Sequence, residues 1–295
     1  MGYEQKEIDL FFRSLANPSL PFDRYLQRLF MVFQRGGFAI QLQIAREQDN
    51  VNNEQNLPTL NNDLANLVLS YTPTLSGENQ DVVAKRWFGQ PSFSLSAQHA
   101  EQEHARIPLE LIESKIDRLT SYYQGGAYFQ YDTWSWGLNH SYGQDKDFTS
   151  VSQKNRSELT DMNLQLTAGE RFSMNAMAQY SSMLDRNSQN VTRSWIAGLD
   201  TRVAMFDQKL STSFSYSLNQ DDSKDDLFKT DSKTLGLRFD WLARTPRSNQ
   251  PGWTIWLQGE RQDFDDRLSP LNNQSIYQVF LGARMDWPLA FPRNN

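Results

Sequence analysis

The stretch Asn155–Ser182, NRSELTDMNLQLTAGERFSMNAMAQYSS, decides how the rest of the chain is read. Met162, Leu164, Leu166 and Ala168 project to one side of an extended chain, and Asp161, Asn163, Gln165 and Thr167 to the other. After a Gly169-Glu170-Arg171 turn the alternation resumes. Phe172, Met174, Ala176, Ala178 and Tyr180 are apolar, and Ser173, Asn175, Gln179 and Ser181 between them are polar. A period of two marks a strand with two unlike faces. A soluble hairpin would bury its apolar face in a core. Here the unit recurs nearly to the end of the chain, so one closed sheet, apolar outside and polar inside, answers the pattern better.

Working outward, the turns carry the same signal. Gly36-Gly37 suits a two-residue hairpin because both positions can take positive φ. It pairs Arg35 with Phe38, Phe33 with Ile40, Met31 with Leu42 and Leu29 with Ile44, so apolar meets apolar and the register supports itself. Asp132-Thr133 pairs Tyr131 with Trp134 and Phe129 with Trp136. Phe206-Asp207 pairs Met205 with Gln208, Val203 with Leu210, Thr201 with Thr212 and Leu199 with Phe214. The other connections are long and polar: 49–61, 101–117, 144–155, 183–190, 220–231 and 263–274. Short and long links alternate, except that 73–90 and 244–252 on the short side are not tight. The expected fold is all-β, a transmembrane antiparallel up-and-down barrel of about fourteen strands with short periplasmic turns and long outer loops.

Composition permits this. No run of apolar residues is long enough for a membrane-spanning helix, but a barrel strand shows lipid only every second residue. The net charge of -6, without a basic stripe, argues against nucleic acid. With no cysteine there is neither disulfide nor thiolate chemistry. Met1–Lys6 lacks the apolar core of a signal peptide, and Lys6 stands where a myristoylation motif wants Ser or Thr. The simplest expectation is a mature or truncated chain with a start codon added.

Glu7–Ser14, with Ile8, Leu10 and Phe12 on one face, is read as a first strand or a short amphipathic helix. The expected division is an N-terminal segment over 1–24, the barrel over 25–287 and a tail over 288–295. Aromatics sort to the strand ends. Tyr131, Trp134, Phe172, Phe206, Trp241, Trp253 and Trp287 lie near short turns; Tyr142, Tyr180, Trp195, Tyr216 and Tyr277 lie near long loops. Amphipathic rings at two levels are expected at two membrane–water interfaces, whereas a soluble sandwich would need two mutually buried faces.

The last strand, Ile276–Trp287 (IYQVFLGARMDW), carries a resemblance. Phe280-x-Gly282-x-x-Met285-x-Trp287 resembles the C-terminal signal by which the outer-membrane assembly machinery recognises its clients. Across most of its length the chain resembles Gram-negative outer-membrane β-barrels of the porin-like class. It departs from them by running on through Pro288-Leu289-Ala290-Phe291-Pro292 to Asn295 instead of stopping on an aromatic. The resemblance implies residence in the outer membrane, with lipid, lipopolysaccharide and the assembly machinery as partners, and no cofactor.

Residues that carry chemistry are few. The inward faces are small and polar: Ser92, Ser94, Ser96 and Gln98; Ser135, Asn139 and Ser141; Ser211, Ser213, Ser215 and Ser217. Charges recur on the same face of three successive strands, Asp200 with Arg202, Arg238 with Asp240, and Arg284 with Asp286. They read either as a mixed-charge ring that filters solutes or as ion pairs bracing the wall. Pro108–Leu119 has helical spacing in Leu109, Ile112, Ile116 and Leu119, and reads either as a helix that caps a loop or as a candidate constriction formed by Glu110, Glu113 and Lys115. The acidic runs 221–226 and 263–266 read either as places for divalent cations at the lipopolysaccharide surface or as merely solvated loops. Lacking EF-hand spacing they favour the second, so no metal site is expected. No enzyme is expected either. His140 and Ser141 are adjacent and point to opposite sides, His99 and His104 have no obvious serine–carboxylate partner, and an omptin-like Asp/His protease would need such groups gathered at the outer rim.

The function expected is a channel passing small hydrophilic solutes through a polar lumen. The competing expectation is the barrel domain of a larger outer-membrane protein, one that exports a polymer such as a polysaccharide or anchors a periplasmic or surface module. A periplasmic partner or an upstream domain would belong to that second reading.

Overall fold

The computed structural model describes residues 1–8, 24–52, 54–73, 89–109, 115–149, 154–245 and 251–286. Fourteen strands follow one another: β1 Gly2–Ile8, β2 Arg24–Arg35, β3 Phe38–Asp49, β4 Thr59–Tyr71, β5 Gln90–Arg106, β6 Asp117–Gln130 and β7 Trp134–Asp147, then β8 Lys154–Ala168, β9 Phe172–Asp185, β10 Asn190–Met205, β11 Leu210–Ser223, β12 Lys229–Arg244, β13 Gly252–Asp266 and β14 Gln274–Asp286. They form one sheet in sequence order, each strand bonded to the one before it. The all-β, antiparallel, up-and-down architecture of fourteen strands is therefore as expected, and no α-helix occurs among the described residues. Two compact units divide the chain. One comprises Met1–Phe129, Leu138–Thr160 and Ser181–Val191; the other comprises Gln130–Gly137, Asp161–Tyr180 and Thr192–Asn295.

In the first unit the Gly36-Gly37 hairpin has the expected register, with Phe33 opposite Ile40, Met31 opposite Leu42 and Leu29 opposite Ile44. The rows continue across β4 and β5, Met31–Leu42–Leu67–Ala97 and Phe33–Ile40–Leu69–Leu95. The opposite face carries Gln41, Gln43, Asn66, Ser96 and Gln98, interrupted by Phe30, Val32 and Val68. The first strand is displaced from expectation. It is Gly2–Ile8, and residues 9–14 lie outside the described residues. Hydrophobic alternation does not hold it. Glu4 lies opposite Arg28 and is ion-paired with it, and the Phe30 ring covers Gly2 so closely that a Cβ there would sit 2.3 Å from it.

In the second unit β10 and β11 are joined by a four-residue loop, with Met205 opposite Leu210, Val203 opposite Thr212, Thr201 opposite Phe214 and Leu199 opposite Tyr216. The expected two-residue Phe206-Asp207 turn is thus corrected by two positions. Phe206, Asp207 and Gln208 all take positive φ, of 52°, 52° and 65°, which side chains rarely adopt. An even shift leaves every side chain on its own face, so the faces survive the correction. The rows Val203–Thr212–Phe239–Leu257–Leu281 and Thr201–Phe214–Leu237–Gly259–Val279 are apolar or nearly so. The intervening positions form Asp200–Ser215–Gly236–Glu260–Gln278 and Arg202–Ser213–Arg238–Gln258–Phe280.

What these faces lack is a core. Ala204 is the only buried hydrophobic residue among the described ones, while Phe239, Leu257 and Leu281 are 39%, 45% and 76% exposed. A sandwich would bury such rows against a second sheet. Here the larger apolar side chains stand bare, and the most enclosed side chains among the described residues are polar: Asn50, Ser223, Thr59 and Ser141.

The long connections are shorter than expected because the strands reach further. Asp221 and Asp222 lie in the last positions of β11, and Asp263, Asp265 and Asp266 in β13, so these carboxylates are strand residues. Asp263 accepts from Ser275 Oγ at 2.6 Å and pairs with Arg261, and Asp222 faces Arg193 at 3.8 Å. Beyond the apolar rows, Asp266 organises the last loop. Its carboxylate accepts from Asn272 Nδ2 at 3.0 Å and from the Ser269 and Leu268 amides at 2.9 and 3.0 Å. These bonds, that from Asn272 first, hold it below the usual aspartate range.

Two outcomes test this architecture. Leu257→Arg places a charge in the middle of the bare apolar face and should cost about 2–4 kcal/mol in urea unfolding from lipid vesicles, whereas Gln258→Ala on the opposite face should cost little. For Asp266 the carboxylate is depressed on folding, so its contribution is present above the ordinary aspartate range and lost as pH falls through the lower folded value. The Ser269 and Leu268 amide signals should titrate with a midpoint below that of free aspartate, and not at all in Asp266→Asn.

Candidate functional site

The richest chemistry lies on the polar face of β10–β14. Arg238 and Asp240 are two apart on one strand and so share a face. Arg238 Nε and Nη2 donate to the two Asp240 carboxylate oxygens at 2.9 and 2.7 Å, a bidentate pair. The same guanidinium lies 5.0 Å over the Trp256 ring. Trp256 in turn lies against Gly282, opposite it on β14, where a Cβ would sit 2.3 Å from the indole. A glycine is needed there. Gly236 makes similar room for Ser215, whose Oγ would lie 2.4 Å from an added Cβ.

Arg284 Nε donates to Asp286 Oδ2 at 3.1 Å, with both side chains largely exposed. Asp200 and Arg202 form no ion pair with each other or with any other described residue. Register also changes the picture of a level ring. Arg202 and Arg238 share a row across Ser213, Asp240 falls on the next inward row with Ala204, Ser211 and Trp256, and Arg284 lies opposite Thr254 further towards the short turns. The six charges form a staircase down the wall. Three of them, Arg202, Asp240 and Arg284, border a concavity of about 380 Å³ together with Ser211, Ser213 and Thr254. Its turn end is closed by Leu242 and by Gln208, which donates to Glu170 Oε2 at 2.7 Å.

Trp256, Gly282, Gln208, Leu242 and Thr254 are the members that the sequence alone does not single out. The signal for Trp256 was present: in Thr254-x-Trp256-x-Gln258-x-Glu260 an indole stands among polar residues on the inward parity. Gln208 was hidden by the misplaced turn.

Of the candidate constriction, Glu110 and Glu113 lie outside the described residues. Lys115 is described, with its Nζ 3.4 Å from Asp117 Oδ2. Asp117, Arg118 and Leu119 belong to β6, so the expected helix does not reach Leu119. Arg118 pairs instead with Asp145, Nε to Oδ1 at 2.9 Å. The aromatics pair within each unit. Tyr131 and Trp134 stack across their turn at 4.0 Å between centroids, with the Tyr131 amide donating to the Trp134 carbonyl at 2.8 Å. At the loop end Trp195 meets Tyr180 at 4.6 Å, and Arg261 covers Tyr277 at 5.2 Å. Trp241 and Trp253 stand exposed on the apolar face near the short turns. Trp287 lies outside the described residues.

The histidines form hydrogen bonds of their own in the first unit. His140 Nδ1 meets Thr160 Oγ1 at 2.8 Å, and His104 Nδ1 accepts from the Ile116 amide at 2.8 Å. His99 Nδ1 meets Ser121 Oγ at 2.9 Å, a serine partner the sequence did not indicate. His99 is exposed, and no carboxylate among the described residues orients its other ring nitrogen. No three His, Asp or Glu side chains gather as metal ligands among the described residues.

No family model matches the chain. No curated protein matches it either. Among solved structures it is similar to the trimer form of OmpT, an outer membrane protein of Vibrio cholerae, at 9% identity over 96% of this chain and 97% of that one, with a TM-score of 0.36. It is similar also to an anion-selective porin from Comamonas acidovorans, at 10% identity over 89% and 87% and a TM-score of 0.34. A FadL homologue of Pseudomonas aeruginosa shares 9% identity over 89% and 75%, with a TM-score of 0.32.

Gly282→Val tests the Trp256 seat. The indole should be driven off β14, at an overpacking cost of about 1–3 kcal/mol, with loss of near-ultraviolet circular dichroism from the ring.

Proposed function

We propose that the chain forms a closed barrel in a Gram-negative outer membrane and conducts small hydrophilic solutes along its polar wall. One observation carries this reading: the same strands that leave an apolar face bare have a hydroxyl-rich, charge-bearing opposite face, and Ala204 alone is a buried hydrophobic among the described residues. An apolar face of this extent is stable only against an apolar medium. Its height also suits a bilayer. From Trp253 to Arg261, which lies opposite Tyr277, is eight strand positions, roughly 26 Å along β13 and about 20 Å once tilted, close to the apolar band of an outer-membrane barrel. Lipid and lipopolysaccharide would surround that band, and β14 would be the strand offered to the assembly machinery. With β1 beginning at Gly2, the barrel would include the N-terminal segment.

The wall is close to charge-balanced. Arg238 and Arg284 are each held by an acid, so weak ion preference is expected. Protein refolded into detergent, shown to be heat-modifiable on a gel, should give steady single-channel conductance in a planar bilayer. Arg202→Gln removes a cation that no acid offsets by direct pairing, and the reversal potential in a salt gradient should move towards cations. An unchanged reversal potential would take the charge staircase out of the selectivity. A folded barrel that never conducts would favour the polymer-export or anchoring reading instead.

A further inference from the structure

We infer that the concavity on β10–β14 is a solute subsite for an elongated polyhydroxylated dicarboxylate, a sugar acid with a carboxylate at each end. The inference rests on the polar face being the water-filled side. Its two borders are cationic: Arg202 on β10, which pairs with no described residue, and Arg284 on β14, whose single contact to Asp286 at 3.1 Å leaves most of its donors free. Three strands separate them, so one small carboxylate does not suit both, and an elongated solute does. The floor between is made of hydroxyls, Ser211, Ser213 and Thr254, which donate and accept equally well. In its middle stands Asp240. Arg238 takes up part of that carboxylate's accepting capacity, and what remains can accept only from donors such as sugar hydroxyls. Arg238 is itself clamped over Trp256 and acts as a positioning residue. A simple anion would meet Asp240 as repulsion, and a neutral sugar would leave both outer guanidiniums unanswered. One guanidinium at each end matches a monoanionic carboxylate better than a phosphate dianion, which asks for more positive charge.

Isothermal titration of the refolded protein in detergent micelles with glucarate, gluconate and glucose tests this. Glucarate should bind saturably, gluconate about tenfold or more weakly, and glucose without saturation. Arg202→Gln and Arg284→Gln should each weaken glucarate by about tenfold or more, towards the gluconate level, as expected for loss of one charge-assisted contact. Arg202→Lys should recover part of the loss, and Ser213→Val serves if a glutamine variant is not heat-modifiable. Equal binding of glucarate and glucose, or glucarate binding indifferent to both glutamine substitutions, overturns the subsite. Conductance without glucarate binding leaves the channel and removes the subsite. Binding without conductance keeps the subsite and removes the channel.

Discussion

Everything in this molecule follows from one constraint: a strand has two faces, and on these strands the faces cannot share a solvent. Val203, Phe239, Leu257 and Leu281 occupy one row, and Arg202, Ser213, Arg238 and Gln258 sit one position along on the same strands. Any surrounding that satisfies the first set starves the second. Backbone pairing from strand to strand satisfies the main chain without reference to either solvent, so the sheet can divide a wet side from an oily one. The constraint also explains why aromatics with a polar edge gather at strand ends. On the proposed reading the two media meet there, and Trp195 against Tyr180 or Arg261 over Tyr277 would present one apolar and one polar side.

That constraint is visible in the amino-acid order, which is why the architecture was readable and the finer register less so. The Gly36-Gly37 hairpin is legible in the sequence because the turn residues and the apolar pairing demand the same register. At Phe206–Lys209 they do not. Three consecutive non-glycine residues at positive φ leave no sequence mark, and a shift of two preserves face matching, so the alternation cannot choose between the two registers. The first strand is not legible for a different reason. Its anchors are the Glu4–Arg28 pair and the Phe30 ring over Gly2, contacts between strands that a single strand's pattern does not contain.

The candidate site shows the same boundary. Each charged residue was found by parity, because Arg238 and Asp240, or Arg284 and Asp286, stand two apart. Where they lie relative to one another depends on the bulge between Leu242 and Arg244 and on the loop after Met205. Neither is written in a period of two. The ring became a staircase, and the pairing differs from strand to strand: bidentate at Arg238, single at Arg284, absent at Arg202.

That gradation has a physical cause in what lies beside each arginine. Arg238 faces Trp256, and the ring holds the guanidinium plane where both Asp240 oxygens can be reached. Trp256 can take that position only because Gly282 leaves the space on β14, and Gly282 belongs to the stretch Phe280-x-Gly282-x-x-Met285 that also resembles the assembly signal. One glycine therefore bears on two demands, a flat surface for the indole and the pattern of the last strand. Arg202 has Ser213 beside it on β11 and no ring in contact, so nothing restrains its guanidinium or neutralises it. Holding an exposed arginine in one geometry against its rotamer entropy gains little in water. A wall that clamps one arginine with an aromatic and an acid, yet leaves another loose, keeps its structural charge and its available charge in different places.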